Sequence, residues 1–194
     1  ISANAEVLQY KGDGNEWTQN IIDQTKHMGK LINQLLVLAK LDEVQEKSEK
    51  QEADLKLLLE ETIEPFEEVA TQKKVTLKLH LEEGVTIRVN REQIAQLVSI
   101  LTENAAKYVN DGGKIVWRLT KTQHGAVLVV KNTTEKELPD TKRMFDRFYR
   151  SDSSRSSKTG GQGIGLSIAK KIVDSHKGSI TAKAGVIASF YRIN

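Results

Sequence analysis

The spacing of apolar residues predicts a long helix near the start of the chain, at about residues 16–46. Two sets of apolar residues recur there with heptad spacing: Ile21, Met28 and Leu35 in one set, and Leu31 and Leu38 in the other. This pattern is typical of a helix that packs in a bundle or coiled coil. Residues 1–10 resemble the end of an earlier helix, and the glycines of "KGDGN" (11–15) predict a turn after it.

After a polar segment at 46–52, which we interpret as a linker, helices and strands are interleaved. An apolar face predicts a helix over 54–72, and Pro65 should kink it because proline removes a backbone N–H from the helix interior. Asn90 and Gln93 have the spacing of a capping box at the start of another helix. The other predicted elements are strands at 75–81, 85–89, 114–120, 126–131, 178–184 and 189–194, a polar stretch at 132–160 and a helix ending near 176. This order favours an α+β layer of sheet and helices.

Composition narrows the class of protein. Of the 194 residues, 38% are hydrophobic and 28% are charged, which is the profile of a soluble globular protein. The net charge of +3 gives no strong electrostatic case for binding nucleic acid. The absence of cysteine excludes disulfides and thiolate metal sites and suits a reducing compartment. Because the sequence starts at Ile1 within a helical pattern, we expect it to be a fragment of a longer protein.

The stretch "KTGGQGIGLSIAKKIV" (158–173) places four glycines before a predicted helix. Such a cluster presents backbone N–H groups to an anion, most often phosphate. It is not a P-loop, because Leu166 stands where that motif requires lysine, and it is not a Rossmann fingerprint, because no strand precedes it. From these residues alone, a phosphate-binding loop and a flexible hinge both remain open.

A second candidate lies in "QLVSILTENAAKYV" (96–109). Asn104 interrupts an otherwise apolar helix face, and Lys107 and Tyr108 follow at helical spacing on the same side. An amide oxygen is a suitable hard ligand for Mg²⁺, and a lysine beside it would meet phosphate. A structural asparagine and a solvated lysine are the alternative interpretation.

Three segments follow one another along the chain: "ILTENAAKYV", "MFDRFYRSDSSRS" and "GGQGIGLSIAKKIVDSHKGSI". They resemble the N, F and G2 boxes of the ATP-binding domain of bacterial sensor histidine kinases, and "LINQLLVLAKLDE" resembles the second helix of their dimerisation and phosphotransfer domain. The resemblance implies a two-layer α/β sandwich of the histidine kinase/gyrase-type ATPase fold, preceded by part of a helical hairpin. It implies a partial hairpin at 1–50, an ATP-binding domain at 53–194 and an ATP lid at about 132–160.

The resemblance also implies a site for ATP and Mg²⁺. Asn104 and Lys107 become the catalytic residues, with Asn104 as the metal ligand, and Phe145 and Phe148 anchor the lid. Arg147 or Arg150 would reach phosphate or a partner domain. The implied ATP-binding residues are Asn104, Lys107, Tyr108, Asn132, Phe145, Arg147, Arg150, Gly161, Gly163, Ile164, Gly165 and Leu166.

Two boxes depart from the family pattern. The family's D-x-G-x-G box aligns with "NTTEK" (132–136), so Asn132 replaces the aspartate that accepts from adenine, and Thr134 and Lys136 replace both glycines. An amide oxygen still accepts that hydrogen bond, although without the charge of a carboxylate. We therefore expect nucleotide binding to persist but to be weaker than in relatives with the family's box. Ile100 occupies the position where gyrase-like relatives carry a water-activating glutamate, which disfavours hydrolysis as the main reaction.

None of the four histidines is followed by the family's H box, H-E-x-x-T-P. We therefore expect the phosphoacceptor upstream of Ile1, and His27 to have a structural role. The resemblance implies a kinase that transfers the ATP γ-phosphate to a histidine for relay to a response-regulator receiver domain. It implies a homodimer through the hairpin, a cytoplasmic location for this region and a membrane anchor elsewhere in the protein. The alternatives are a degenerate nucleotide-binding signalling module without phosphotransfer and a gyrase- or MutL-like ATPase.

Overall fold

The computed structural model describes residues 6–8, 10, 16–43, 49–123, 125–135, 140–150, 163–183 and 188–193. The chain divides into two compact units, residues 1–40 and 41–194. The first unit contains most of helix α1 (Glu16–Glu43), and residues 6–8 and 10 are also helical. None of the described helices combines the length and the apolar character that crossing a membrane requires.

Helix α1 buries one side and exposes another. Ile22 and Leu38 are each only 4% exposed. In contrast, Ile21, Met28 and Leu35, one complete set of the predicted heptad positions, are 45%, 59% and 43% exposed. The long helix is confirmed, and its packing in a bundle stays a prediction.

The second unit is built on a five-stranded sheet of order β2-β4-β5-β7-β6. Its strands are β2 (Thr76–Leu81), β4 (Lys114–Thr122), β5 (Gly125–Asn132), β6 (Ser179–Lys183) and β7 (Ala188–Ile193). Strand β2 runs parallel to β4, and every other neighbouring pair is antiparallel. A separate two-stranded sheet joins β1 (Gln51–Asp54) to β3 (Thr86–Val89).

The described residues of this unit also form four helices: α2 (Leu55–Ile63), α3 (Pro65–Gln72), α4 (Arg91–Tyr108) and α5 (Gly165–Ser175). One face of β4 contributes Ile115, Trp117 and Leu119 to the core, each 3% exposed or less. The apolar stripes of α4 and α5 are buried as well, with Ile94, Leu97, Val98, Leu101, Ile168, Ala169, Ile172 and Val173 all at 2% exposed or less. Alternating strand residues and helical stripes thus form the expected two-layer α+β sandwich.

The structure confirms the predicted kink at Pro65 and corrects the predicted linker at 46–52. Pro65 separates α2 from α3, so the predicted kink is confirmed as a break between two helices. The interpretation of 46–52 as a linker is wrong at its end, because Gln51 begins strand β1 and pairs with Val89. The sequence "QEAD" has neither β-branched nor aromatic residues, so only the pairing with β3 makes it a strand.

Candidate functional site

Helix α4 carries three of the predicted site residues at its C-terminal end. Asn104, Lys107 and Tyr108 are all half-buried. The Lys107 Nζ atom lies 5.0 Å from the centroid of the Tyr108 ring, a distance at which a cation is attracted to an aromatic face. This contact holds the ammonium group beside the ring at the last turn of the helix.

The glycine-led helix α5 starts beside α4. A Cβ built on Gly165 would lie 3.4 Å from Ile100 Cγ2, and Ile100 precedes Asn104 by one helical turn. Ile164 is the N-cap residue of α5, and it is buried and makes no side-chain capping bond. Its carbonyl oxygen accepts from the Ile168 N–H at 3.0 Å and from the Ser167 hydroxyl at 2.7 Å. No side chain of the N-cap residue therefore occupies the positive end of the helix dipole.

Gly163 joins this helix start to the segment 140–150. It has φ +72°, and its carbonyl oxygen accepts from the Phe148 N–H at 2.9 Å. A Cβ on Gly163 would lie 2.5 Å from the Tyr149 carbonyl oxygen and 2.8 Å from the Phe148 carbonyl carbon. Both the backbone angle and the close approach therefore require glycine.

The two phenylalanines of the predicted lid differ. Phe145 is 9% exposed and packs with Met144, Tyr149 and Leu166, as an anchor should. The expectation that Phe148 also anchors the lid is wrong for its ring, which is 62% exposed. Phe148 has φ 63°, a left-handed conformation, and it holds the segment through its backbone N–H instead.

The remaining predicted residues of this region occupy mixed environments. Arg147 is exposed, and Arg150 and Leu166 are half-buried. Gly161, the predicted turn at 11–15 and two parts of the predicted lid, 136–139 and 151–160, lie outside the described residues. In the described part of the chain, no group of three or more histidine, aspartate or glutamate side chains is arranged to hold a metal ion.

Asn132 ends strand β5 and is 3% exposed. Its side-chain Nδ2 donates to the Thr133 carbonyl oxygen at 3.2 Å, so the amide oxygen is the atom that would accept from a ligand. The same carbonyl accepts from the Asn110 N–H at 3.3 Å, just beyond the end of α4. The end of β5 is thereby held next to the end of the helix that carries Asn104.

Sequence inspection missed the part played by Thr133. Its hydroxyl accepts from the Lys114 N–H at 2.9 Å, and its own N–H donates to the Lys114 carbonyl at 3.0 Å. A Cβ on Gly113 would collide with this hydroxyl and would lie 2.7 Å from the Asn110 carbonyl oxygen. Gly113 therefore allows Thr133 and Asn110 to approach each other, and the Gly112-Gly113 pair was the signal in the sequence.

Helix α4 is thus the element that connects the candidate residues. Gly165 approaches it at Ile100, and Asn132 is held beside the turn that follows Tyr108. These two places are separated by about 12 Å of helix. Asn104, Lys107 and Tyr108 lie on the stretch between them. We call this stretch of α4, with the glycine-led helix start at one end and the buried Asn132 amide at the other, the elongated site.

An α+β sandwich with this elongated site is the architecture of a nucleotide-binding ATPase domain. Residues 89–191 match the family described as "Histidine kinase-, DNA gyrase B-, and HSP90-like ATPase". The chain belongs to this family. The resemblance to histidine kinases stated from the sequence motifs is confirmed.

Relatives and solved structures agree with this assignment. The chain is 33% identical over 185 residues to the sensor protein DltS of Streptococcus agalactiae, covering 94% of this chain and 46% of that protein. It is 34% identical over 165 residues to the sensor histidine kinase RppB of Synechocystis, covering 84% of this chain and 36% of that protein. The catalytic domain of histidine kinase ThkA superposes with a TM-score of 0.66 at 24% identity, over 75% of this chain and 97% of that domain, which establishes the fold.

The chain spans about half or less of the length of the relatives that it matches. The family assignment therefore covers the ATPase fold found here.

Proposed function

We propose that this chain is the ATP-binding catalytic part of a sensor histidine kinase, together with part of its helical hairpin. The observation that carries the proposal is the approach of Gly165 to Ile100, because it brings the glycine-led helix α5 beside the helix of Asn104 and Lys107. The names of relatives such as RppB support a kinase over a gyrase-type ATPase, and they also favour a kinase over a signalling module without phosphotransfer.

The proposed division of labour follows the elongated site. The amide oxygen of Asn132 accepts from the adenine amino group, and Tyr108 packs near the base or ribose. The start of α5, from Gly163 to Leu166, binds phosphate oxygens through backbone N–H groups and the helix dipole. Phe145 fixes the lid, and Arg147 and Arg150 reach phosphate or the partner domain; Gly161 contributes to the same glycine loop.

The polar groups on α4 fit a magnesium nucleotide. The Asn104 side-chain oxygen is a hard ligand that suits Mg²⁺, an ion that keeps several waters and takes few protein ligands. Bound ATP would supply the phosphoryl group, and the Mg²⁺ held by Asn104 would offset part of the phosphate charge. Lys107 would orient the phosphates by its positive charge while Tyr108 holds its ammonium group in place. Positioning and charge neutralisation are what phosphoryl transfer needs most.

The acceptor and the partners belong to the same proposal. We place the acceptor histidine in an H box that precedes this region of the kinase, and the final acceptor in the receiver domain of a response regulator. The exposed heptad residues Ile21, Met28 and Leu35 of α1 fit a homodimer through the hairpin. The region would work in the cytoplasm, in a protein anchored in the membrane.

Calorimetric titration with Mg-ADP and with a non-hydrolysable ATP analogue tests nucleotide binding. We expect saturable binding that falls at least tenfold in Asn104→Ala and falls again when Mg²⁺ is chelated. Glu103→Ala is the matched control, because Glu103 is the exposed neighbour of Asn104 on the same helix. Equal affinities of wild type and Asn104→Ala would remove Asn104 as the metal ligand.

A further inference from the structure

A buried histidine lies at the end of the helix pair opposite the glycine-led helix start. His176 directly follows α5 and is 1% exposed. Its Nε2 atom accepts from the backbone N–H of Asn90 at 3.1 Å, and Asn90 is the N-cap residue of α4. Its Nδ1 atom lies 2.8 Å from the Ile172 carbonyl oxygen. The ring therefore connects the end of α5 to the beginning of α4.

The two partners assign the tautomer of this ring. A carbonyl oxygen only accepts, so Nδ1 carries the hydrogen and donates to Ile172. A backbone N–H only donates, so Nε2 carries no hydrogen. The neutral imidazole thus satisfies both bonds, whereas the protonated ring would direct an N–H at the Asn90 N–H.

The same place contains a second contact between the helices. Asn90 caps α4 by accepting from the Gln93 N–H at 2.8 Å, as its capping-box spacing predicts. The reciprocal half of the box is absent, because the Asn90 N–H donates to His176. Gln93 Oε1 instead lies 3.3 Å from the Ser175 hydroxyl oxygen, which also lies 2.8 Å from the Ile172 carbonyl oxygen. We call Asn90, Gln93, Ser175 and His176 the helix junction.

The helix junction fixes one end of an antiparallel pair. Asn90 precedes Ile100 by about 15 Å of helix, and Gly165 precedes His176 by about 17 Å. Asn90 contacts His176, and Ile100 approaches Gly165. A shift of α5 along α4 at the junction would therefore move the Gly165 end relative to Asn104.

We propose that His176 is a positioning residue for nucleotide binding. Its two ring nitrogens fix α5 against the start of α4 and so set the distance between the glycine end of α5 and Asn104. The inference rests on the proposed function, since these two places are the proposed phosphate and metal contacts. A displacement of about 1 Å would take a contact of about 2.9 Å out of hydrogen-bond range.

The helix junction is sensitive to pH because it depends on the neutral form of the buried His176 ring. Burial lowers the pKa of His176 below its ordinary value of 6.5, the bond to Ile172 opposes this shift, and the positive charge of Lys50 adds to it. The Lys50 Nζ donates to the Ser175 carbonyl oxygen at 3.0 Å. The other charged residues next to the junction in sequence are Arg88, Arg91, Glu92, Asp174 and Lys177, together with Glu49, whose carbonyl accepts from the Asn90 side chain at 3.5 Å.

Two substitutions separate the roles of the ring nitrogens. In His176→Gln, the side-chain oxygen can take the place of Nε2 and accept from the Asn90 N–H. In His176→Asn, the shorter amide can donate to the Ile172 carbonyl but leaves the Asn90 N–H without an acceptor. Leu119→Ala is the control for general destabilisation, because Leu119 is 2% exposed on β4 and makes no bond in the junction.

The experiment measures Mg-ADP affinity by calorimetry at pH 7.5 and 5.5, with thermal unfolding of each variant. At pH 7.5 we expect His176→Asn to bind about fivefold or more weakly than wild type, and His176→Gln and Leu119→Ala to stay within about twofold. Between pH 7.5 and 5.5, the affinity of wild type should fall relative to that of His176→Gln. Protonation of ADP itself affects both proteins equally and so does not change this ratio. Wild-type affinity in a His176→Asn variant of lowered stability would overturn the proposal.

Nuclear magnetic resonance gives a readout that needs no nucleotide. In wild type, the amide signals of Asn90 and Gly165 should shift together as His176 titrates, and neither shift should occur in His176→Gln. A shift at Asn90 without one at Gly165 would overturn the proposal. If wild type bound no Mg-ADP, the proposed function would fail, and the Gly165 signal would still decide whether His176 controls the geometry of the helix pair.

Discussion

The backbone N–H of Asn110 donates to the carbonyl oxygen of Thr133 at 3.3 Å, and this bond connects the end of the Asn104 helix to the end of strand β5. Asn132, which precedes Thr133, uses the same carbonyl as the acceptor for its side-chain Nδ2. The proposed adenine contact is therefore positioned by the chain segment that follows the proposed metal ligand. Changes at this connection should alter both stability and nucleotide affinity.

Gly113→Ala tests that connection. The added Cβ would collide with Thr133 and Asn110, so we expect the free energy of unfolding to fall by about 1–3 kcal/mol and ADP affinity to fall as well. Gly84→Ala is the control, because Gly84 has φ +67° with open space around it and should cost only about 1 kcal/mol. Denaturant unfolding and calorimetry measure the two effects. An unchanged ADP affinity in folded Gly113→Ala would show that the connection does not position Asn132.

Substitutions at Asn132 test the adenine contact. Asn132→Asp keeps an acceptor oxygen and should bind ATP as well as wild type or better. Asn132→Leu removes the acceptor and should bind about three- to tenfold more weakly, since a buried hydrogen bond is worth about 0.5–1.5 kcal/mol. Calorimetric titration of both variants, with GTP as a second nucleotide, gives the comparison. If Asn132→Leu binds ATP like wild type, adenine is held by other groups.

Gly163→Ala tests the joint between the lid segment and helix α5. The Cβ would lie within 2.8 Å of the Phe148 and Tyr149 backbone, and φ +72° is unfavourable for alanine. We expect the 145–150 segment to move away from the helix start and nucleotide affinity to fall more than tenfold. Limited proteolysis should cleave this segment faster in the variant than in wild type. Retention of the wild-type cleavage rate and affinity would rule out this role for Gly163.

The depressed pKa of His176 predicts how stability depends on pH. In the unfolded chain the imidazole has its ordinary pKa of 6.5, and in the folded chain burial lowers the pKa. The unfolded state therefore binds more protons below pH 6.5, so stability is fully present above 6.5 and falls as the pH drops towards the folded-state pKa. The slope should reach at most about 1.4 kcal/mol per pH unit.

His176→Gln should lack this component of the slope between pH 6.5 and 5. Leu119→Ala, which shortens a buried side chain without changing a titratable group, is the control and should keep the wild-type slope. Urea unfolding at a series of pH values gives the free energies. Equal slopes for wild type and His176→Gln would contradict the assignment of the neutral buried ring.

The sequence predicted the elements that have strong local patterns. The long helix α1, the alternation of β2 and the Asn90 cap all appear as expected, because each depends on residues close together in the chain. Strand β1 and the contacts of Thr133 and His176 depend on partners far away in sequence, with Asn90 and His176 separated by 86 residues. Local periodicity contains no signal for such pairs. Phe148 was misassigned as a buried anchor because its left-handed backbone conformation has no signature in an aromatic residue type.

Phosphoryl transfer tests the central claim most directly. The chain would be incubated with γ-labelled ATP and Mg²⁺, alone and with the histidine-bearing helical segment of the same kinase. We predict no acid-labile label on the chain alone, and an acid-labile, alkali-stable label on the added segment that is absent with Asn104→Ala. Strong labelling of the chain itself at His27 would contradict an acceptor elsewhere in the kinase. Tight ATP binding without any transfer would contradict the kinase assignment and identify a nucleotide-binding module instead.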